Sequence, residues 1–483
     1  MECKFLKKGV LPFLLLLIIY IVSIPVLFVS ARSYNWSNYI SLCRLGLSIC
    51  LVSGVLIVYQ QQKIISAINI IFASFVLFQF GVPMIFAVNA NYHNYYLDLF
   101  DISVIIPATL YSVLSIIVFT LFLSASFLYK KRNSRRKVLL SNNKAINNKK
   151  FVRNISLLIF IVSALIVIPL YSVVMMLTVI NGFSQETRGL LASSSIFNLA
   201  RVLFFSSAML NICYSERRSL SKRLVEIVFL IAMIETLIIG NRAEGVVCIL
   251  VFIYHKYANE GKRTDIKKTI ITFSGIIAIA FLSVYIANTR LSASGSSFLD
   301  ILNSGVIQDL FAEMGFNFFS ICFVMMYVPK VSGFQYGMSY VNSLLTLIPK
   351  TLDPTGYITA IRDNVPVMWL FKLNHVKYSG RYDWGVGFSF IGETYLNFSW
   401  FGLIFTALFA FLIGRTFNNC RHIDTPWCKY LQLVMLKALF MMPRQCFIEP
   451  LDSLKYSVLF IALAIMLLHK LFYKAVPVEN GDL

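Results

Sequence analysis

Apolar segments long enough to span a bilayer alternate with short polar connections along most of the chain. A helix of about 20 apolar residues crosses the hydrocarbon core, so each such segment predicts a transmembrane helix. The predicted spans are Val10–Val29, Tyr39–Tyr59, Ile64–Val88, Ile102–Leu128, Asn154–Ile180, Asn198–Tyr214, Val225–Gly240, Ala243–Tyr254, Thr269–Asn288, Phe388–Gly414, Tyr430–Met442 and Ser453–Leu468. The shorter segments Phe316–Val328 and Met338–Ile348 predict either two thin crossings or a re-entrant pair.

Composition supports the same fold class. Of the 483 residues, 58% are hydrophobic and 13% are charged, whereas a soluble domain carries about 25% charged residues. The apolar N-terminal segment is long enough to span and lacks a small-residue cleavage site, so we interpret it as a retained first helix. The sequence therefore predicts an all-α polytopic membrane protein, one integral membrane domain over residues 1–483, with about 12–14 transmembrane helices.

The basic residues indicate how the chain is oriented. Residues 130–153 contain ten Lys or Arg and no acidic residue, and such a connection is cytoplasmic by the positive-inside rule. Counting crossings in both directions places both termini in the cytoplasm and residues 350–395 outside it. The net charge of +21 is thus explained by topology, and we expect no nucleic-acid partner.

The connection Lys350–Tyr395 differs from the others because it is long and mixes charged residues with aromatic residues, prolines and glycines. Long connections in compact proteins are usually functional. We therefore predict one large external loop that carries part of the active site. No phosphate-binding glycine-rich loop and no metal-ligand cluster occurs, and the nine cysteines form no CxxC pair, so no cofactor and no metal are expected.

Arginines at predicted membrane edges are the first candidates for chemistry. Arg242 lies between two short apolar segments, where a cation is costly and indicates a functional site. Arg290 follows the span Thr269–Asn288 directly. A guanidinium can bind a phosphate through two parallel hydrogen bonds. The alternatives are that Arg242 pairs with Glu235 or Glu244 and that Arg290 is an interfacial anchor.

Acidic and basic side chains of the external loop are the second group. Arg381 and Asp383 stand beside aromatic residues between glycines, and a carboxylate or an imidazole can accept the proton of a sugar hydroxyl. Glu393 follows at the start of a span. The alternatives are solvated loop charges and, for Glu393, a buried structural carboxylate. Arg444 and Glu449, in a later outer connection, are interpreted as anchors.

Three local sequences carry a family likeness: Gly240-Asn241-Arg242, the stretch Tyr336–Pro354 and the stretch Gly385–Gly402. With them, and with its layout of spans and one late external loop, the chain resembles the Wzy-type oligosaccharide repeat-unit polymerases (O-antigen polymerases) of bacterial inner membranes. The resemblance implies a GT-C-like glycosyltransferase that acts outside the cytoplasm on undecaprenyl-diphosphate-linked oligosaccharides.

The resemblance also implies roles and partners. The expected partners are the lipid-linked oligosaccharide, membrane lipid, a chain-length regulator and a flippase. Two other functions share parts of this layout: a lipid-linked oligosaccharide flippase, which the absence of an internal repeat disfavours, and an O-antigen ligase. A non-enzymatic envelope scaffold would not require buried arginines. The predicted catalytic residues are Asp383, Glu393 and His375, and the predicted diphosphate-binding residues are Arg242, Arg290, Arg381 and Arg362.

Overall fold

The structure is a computed structural model, and the part of the chain that it describes is mainly helical. It describes residues 2–128, 146, 148–181, 195–216, 219–239, 242–258, 306–348, 353, 355–362, 364–377, 387–421 and 425–473. Within these ranges there is no β-strand. Eight helical segments of this part of the chain are long and apolar enough to cross a membrane, which confirms an all-α polytopic membrane protein.

The α-helices follow the predicted spans closely and add shorter elements between them. They are α1 (Glu2–Ser30), α2 (Trp36–Gln61), α3 (Ala67–Val88), α4 (Ile102–Leu128), α5 (Lys149–Asn181), α6 (Ser195–Tyr214), α7 (Leu220–Ile239), α8 (Arg242–Ala258), α9 (Val306–Met314), α10 (Phe318–Tyr327), α11 (Met338–Leu345), α12 (Tyr357–Arg362), α13 (Pro366–Lys377), α14 (Phe390–Phe398), α15 (Gly402–Arg421), α16 (Pro426–Met441), α17 (Ile448–Leu454) and α18 (Ile461–Tyr473).

Several predictions concern residues outside these ranges. The span Thr269–Asn288 lies outside them, as does most of the basic segment 130–153, so the total of 12–14 spans stays a prediction. Residues 350–395, predicted as the large external loop, contain α12 and α13 and the start of α14.

The two ends of the bundle can be identified from contacts between helix termini. We call the end where α3 ends at Val88 and α4 begins at Ile102 the loop end, and the opposite end the basic end, because α4 leads there into the basic segment. At the basic end the Gln60 amide donates to the carbonyl oxygens of Gly9 and Ser124, at 3.3 Å each. The N-terminal helix and the basic segment therefore lie at the same end.

The C-terminal helix also finishes at the basic end. The His469 ring near the end of α18 lies 5.2 Å from the ring of Phe151, at the start of α5. At the same end the Tyr214 hydroxyl donates to the carbonyl of Ile146 at 2.9 Å. Both ends of the described chain are thus on the side where the basic segment leaves the bundle.

Helices α1 to α4 and α15 form one half of the bundle, and α3 and α4 are its most buried members. Small residues allow the close approaches. A Cβ atom on Gly414 of α15 would meet the Ser126 side chain at 2.0 Å. Gly81 of α3 and Gly315, between α9 and α10, meet backbone to backbone, since a Cβ on Gly315 would lie 2.3 Å from the Val82 nitrogen. Any side chain at Gly315 would push α9 and α10 away from α3.

Helices α5 to α8 form the other half with α16 and α18. Buried phenylalanine rings fill its centre, and the rings of Phe160 and Phe204 stack at 4.9 Å. Helices α7 and α8 form an antiparallel hairpin, with the Lys256 ammonium 2.8 Å from Glu226 at its open end. Burying a phenylalanine side chain contributes about 1.5–3 kcal/mol, so these rings stabilise the contacts between the helices of this half.

The segment after the external loop is a helical hairpin rather than one straight helix. The rings of Phe390 and Phe409 lie 5.1 Å apart and those of Phe398 and Phe405 4.6 Å apart. In a straight helix, residues 390 and 409 would be separated by about 28 Å. Helix α14 therefore folds back on α15, and the chain turns at Ser399, which has a φ of 55°. Helix α15, with 20 residues, is long enough to span alone.

Candidate functional site

The turn between α16 and α17, residues 442–447, lies inside the bundle rather than at its surface. The Gln79 side-chain amide donates to the carbonyl of Pro443 in this turn. Gln79 precedes the end of α3 by nine residues, which corresponds to about 13.5 Å of helix. The hydrocarbon core of a bilayer is about 30 Å thick, so the turn is close to mid-membrane depth.

Helix α4 gives a second, independent measure of depth. The Tyr111 hydroxyl lies 2.9 Å from the Thr394 hydroxyl of α14, and Tyr111 follows the start of α4 by nine residues. That again corresponds to about 13.5 Å below the loop end. Both measures place α14 and the 442–447 turn at the same depth. Polar groups at this depth are expensive and indicate a functional site.

Glu393 connects three elements at this depth. Its side chain is fully buried. Oε1 accepts a hydrogen bond of 2.6 Å from the Ser339 hydroxyl of α11, and Oε2 accepts one of 2.6 Å from the backbone N–H of Phe447. A buried carboxylate without such donors would cost several kcal/mol. Glu393 therefore fixes α11 and the 442–447 turn against α14.

Asn397 completes this arrangement one helical turn later. Its amide nitrogen donates to the Ser339 hydroxyl at 2.7 Å, and its amide oxygen accepts from the Gly337 N–H at 2.9 Å. Gly337 has a φ of 90°, a left-handed conformation that glycine adopts without strain. Helix α11 thus begins at a position that α14 determines.

The 442–447 turn carries further charged residues. Arg444 lies with its guanidinium carbon 5.7 Å from the centre of the Phe78 ring, and it attracts Glu449, at the start of α17. Glu449 Oε2 is buried and has no hydrogen-bond partner. The Tyr340 hydroxyl is likewise buried without a partner, and its ring lies 5.4 Å from that of Phe447. We call Tyr340, Glu393, Arg444 and Glu449 the turn cluster.

Helix α12 of the predicted external loop is attached to α17 by an ion pair. Two nitrogens of Arg362 donate to the two carboxylate oxygens of Asp452, at 3.0 and 3.2 Å. Lys455 donates to the Thr346 carbonyl at 2.8 Å beside them. Both side chains of the Arg362–Asp452 pair are partly exposed, so the ion pair contributes only modestly to stability.

Asp353 explains why α12 begins where it does. Its carboxylate accepts from the Thr355 hydroxyl at 2.7 Å and from the Ile358 N–H at 2.7 Å. Unpaired N–H groups at a helix start favour an acidic side chain. The hydrogen bond from Thr355 is the largest cause of a lowered pKa for Asp353, and the carboxylate is therefore ionised at neutral pH.

A second group of charges lies in the other half of the bundle. Arg201 of α6 donates to Glu244 Oε2 at 2.8 Å, and Lys437 of α16 donates to Glu244 Oε1 at 3.2 Å. The Lys437 ammonium also lies 4.1 Å from the centre of the Phe205 ring. We call Arg201, Glu244 and Lys437 the Glu244 cluster. It ties α6, α8 and α16 together two residues after Arg242.

The predicted site residues are distributed unevenly. Glu393 lies in the turn cluster, Arg362 pairs with Asp452, and His375 is exposed on α13, stacked on Phe371 with a ring separation of 6.0 Å. Arg242 is the first residue of α8, but its side chain is outside the described part of the chain. Asp383, Arg381 and Arg290 also lie outside it. The roles predicted for these residues stay predictions.

Sequence reasoning missed several residues of these groups. Ser339 and Asn397 are uncharged residues in apolar segments and gave no signal. Arg201 and Lys437 are single cations within predicted spans, and the cost of a charge at that depth could have identified them. Arg444 and Glu449 were noted, but they were interpreted as anchors. Among the described residues no group of three metal ligands occurs.

The fold and these charges define a polytopic α-helical membrane protein with acidic and basic side chains gathered inside its bundle. The family model described as O-antigen polysaccharide polymerase Wzy matches residues 11–476. The chain therefore belongs to the Wzy family of O-antigen polysaccharide polymerases, which confirms the resemblance and supports polymerisation of O-antigen repeat units. Neither curated proteins nor solved structures gave a match to the chain.

Proposed function

We propose that the chain polymerises undecaprenyl-diphosphate-linked oligosaccharide repeat units by GT-C-like glycosyl transfer at the periplasmic face of a bacterial inner membrane. The growing glycan leaves its lipid diphosphate and passes en bloc to a hydroxyl at the non-reducing end of the next unit. The leaving group is anionic and requires fixed positive charge, whereas the acceptor hydroxyl requires a base.

The turn cluster is the observation that carries this proposal. It combines carboxylates and a guanidinium about 13.5 Å below the loop end, which is the end that faces the periplasm in the proposed topology. A lipid-linked substrate presents its diphosphate at the surface of the membrane on this side, above the turn cluster. Glu393, with both oxygens hydrogen-bonded, has the role of holding α11 and the turn in place.

We assign the predicted arginines to the diphosphate of the donor substrate in the same reaction. Arg242 begins α8 two residues before Glu244, and Glu244 pairs with Lys437. Lys437 precedes Arg444 on the same chain segment by seven residues, or two helical turns. Arg242, Arg290, Arg362 and Arg381 are the diphosphate-binding candidates of this proposal, and Asp383 and His375 are candidates for the acceptor side.

The orientation rests on the basic segment. Both chain ends lie at the basic end of the bundle, and a segment with ten Lys or Arg is retained in the cytoplasm. We accordingly propose cytoplasmic termini and a periplasmic loop, residues 350–395, whose last residues belong to α14 and reach into the bundle. A flippase that supplies the repeat units and a chain-length regulator are the proposed functional partners.

The test is deletion of the gene in a strain that makes polymeric surface polysaccharide, followed by gel analysis of its lipopolysaccharide. A polymerase defect leaves the lipid A-core with a single repeat unit, and expression of the wild-type chain restores the ladder. Bare core after deletion would instead indicate a ligase or a flippase and would contradict the proposal. An unchanged ladder would exclude all three functions.

A further inference from the structure

Two glutamates flank Phe447 in the turn cluster, and their carboxylates differ. Both oxygens of Glu393 accept hydrogen bonds, from Ser339 and from the Phe447 N–H, and the residue has no exposed surface. In this structure both oxygens of Glu393 therefore have donors already, and none of its surface is accessible to a substrate. The carboxylate is suited to holding the turn rather than to exchanging a proton.

Glu449 differs from Glu393 because one of its carboxylate oxygens lacks a partner. Its Oε2 is buried without a hydrogen-bond partner, although the residue as a whole is partly exposed. A buried polar atom without a partner costs about 1–3 kcal/mol, and such a cost is commonly retained where a ligand supplies the missing partner. The group that satisfies a carboxylate oxygen is a hydrogen-bond donor, and a sugar hydroxyl is one.

Tyr340 has a second polar atom without a hydrogen-bond partner beside the same turn. Its hydroxyl is buried without a partner, and its ring packs on Phe447, two residues before Glu449. The Tyr340 ring itself stacks on that of Phe405 at 5.2 Å, so the hydroxyl is the group that it offers, and a phenol hydroxyl can both donate to and accept from a sugar hydroxyl. The turn cluster therefore offers both an acceptor and a donor-acceptor group to a saccharide.

Glu235 is the other described acidic residue with a buried oxygen that lacks a partner. It differs from Glu449 in position. Glu235 is buried in α7, and its other oxygen accepts from Ser172 of α5 at 2.9 Å. Glu449 is partly exposed as a residue, unlike Glu235, and a cation, Arg444, is near it.

From these observations we propose that Glu449 is the catalytic general base of the polymerase, and that it binds the acceptor sugar hydroxyl with Tyr340. The inference rests on the function proposed above. In the transfer step, a bond forms between the acceptor oxygen and the anomeric carbon of the donor glycan. The bond from that carbon to the diphosphate oxygen breaks, and its electron pair leaves with the diphosphate. The hydroxyl proton passes to Glu449 Oε2, and Arg444 offsets the charge of the leaving group.

The test uses membranes of the deletion strain that contain the full-length chain or its variants, supplied with undecaprenyl-diphosphate-linked repeat units extracted from that strain. General bases typically contribute a factor of about 10²–10⁴ in rate. Glu449→Gln, which keeps the shape of the side chain, is therefore expected to lower polymer formation by about 100-fold or more. Its melting temperature in detergent is expected to match that of the wild type.

Chemical rescue separates a catalytic role from a structural one. Glu449→Ala removes the carboxylate and leaves space for a small one, so added formate is expected to restore part of the polymer formation. The matched control is Glu393→Ala with formate, for which no recovery is expected because that carboxylate holds the turn in place.

Three results would overturn the proposal: polymer formation by Glu449→Gln within threefold of wild type, loss of activity that follows loss of folded protein, or absence of formate rescue in Glu449→Ala. Failure of the proposed function is distinguishable from these, because the wild-type chain itself would then form no polymer from the supplied units.

Discussion

The turn cluster and the Glu244 cluster both place charges inside the bundle, and they differ in how fully those charges are compensated. In the Glu244 cluster, each oxygen of the one carboxylate receives a cation, from Arg201 and from Lys437. In the turn cluster, Glu393 is satisfied by neutral donors, while Glu449 and Tyr340 keep buried polar atoms without partners.

This difference separates two uses of buried polarity. A compensated ion cluster joins helices, and its loss exposes unpaired charges to an apolar surrounding. An incompletely satisfied cluster costs stability in the free protein, a cost that natural proteins accept mainly at functional sites. We therefore expect changes in the Glu244 cluster to act mainly on folding. Changes at Glu449 and Tyr340, whose buried polar atoms lack hydrogen-bond partners, should act mainly on activity.

The largest effect on stability is expected for Glu244→Ala. The substitution removes the charge-assisted hydrogen bonds that Arg201 and Lys437 donate to this carboxylate, each of which should contribute about 1.5–3 kcal/mol of unfolding free energy. The measurement is equilibrium unfolding in detergent. The matched control is Glu226→Ala, which breaks a single pair whose cation, Lys256, is 47% exposed, and it should cost less than about 1 kcal/mol. Equal losses for the two variants would contradict a structural role for the Glu244 cluster.

The second-largest effect on stability is expected for Glu393→Ala. It leaves the Ser339 hydroxyl and the Phe447 N–H without an acceptor, at a cost of about 1–3 kcal/mol for each donor. Polymer formation should fall with it because the turn loses its position. Ser343→Ala is the control, since this buried serine donates only to the carbonyl of Ser339 in its own helix. A Glu393→Ala protein as stable as the wild type would show that Glu393 does not connect the three elements.

A moderate effect is expected for Gly315→Ala, which tests the support beneath the site. The added methyl group would meet the backbone of α3 at 2.3–2.7 Å, and such overpacking typically costs about 1–3 kcal/mol. Gly333→Ala is the control because no atom lies within 4 Å of its added carbon. Thermal unfolding of the two variants checks this prediction, and an unchanged Gly315→Ala protein would contradict the close contact.

The smallest effect is expected for the ion pair that attaches α12. A double-mutant cycle of Arg362→Ala and Asp452→Ala should give a coupling energy of about 0.5–1 kcal/mol, because both side chains are partly exposed. The cycle is measured by unfolding in detergent. A cycle of Lys372→Ala and Asp452→Ala should give none, since Lys372 donates instead to Asn364 at 3.0 Å. Coupling above about 2 kcal/mol would class this pair with the Glu244 cluster rather than with surface pairs.

Local sequence predicted the helices well and their tertiary arrangement only in part. Hydropathy located α4 at Ile102–Leu128, as observed, because a span depends on its own residues alone. The hairpin of α14 on α15 was not predicted, since both segments are apolar and the turn at Ser399 lies within one apolar run. The depth of the 442–447 turn depends on Gln79, more than 360 residues earlier.

Charged residues of the site were predicted from the sequence, whereas the neutral residues on which the site depends were missed. Glu393 stood out as an acidic residue at a span boundary. Ser339 and Asn397 acquire their roles only through contacts with α14. Glu449 was noted from the sequence, but only the packing around it shows that its Oε2 lacks a hydrogen-bond partner. Long-range contacts of this kind leave no local pattern in a single chain.

The most direct test of the central claim asks where the saccharide binds. A photoreactive benzoylphenylalanine replaces Tyr340 in the turn cluster or Phe229 in the core of the other half, and membranes are irradiated with lipid-linked repeat units. A glycan-bearing adduct of the full-length chain is expected at position 340, and none is expected at position 229. An adduct at position 229, or none at position 340 in a variant that still makes polymer, would contradict the central claim.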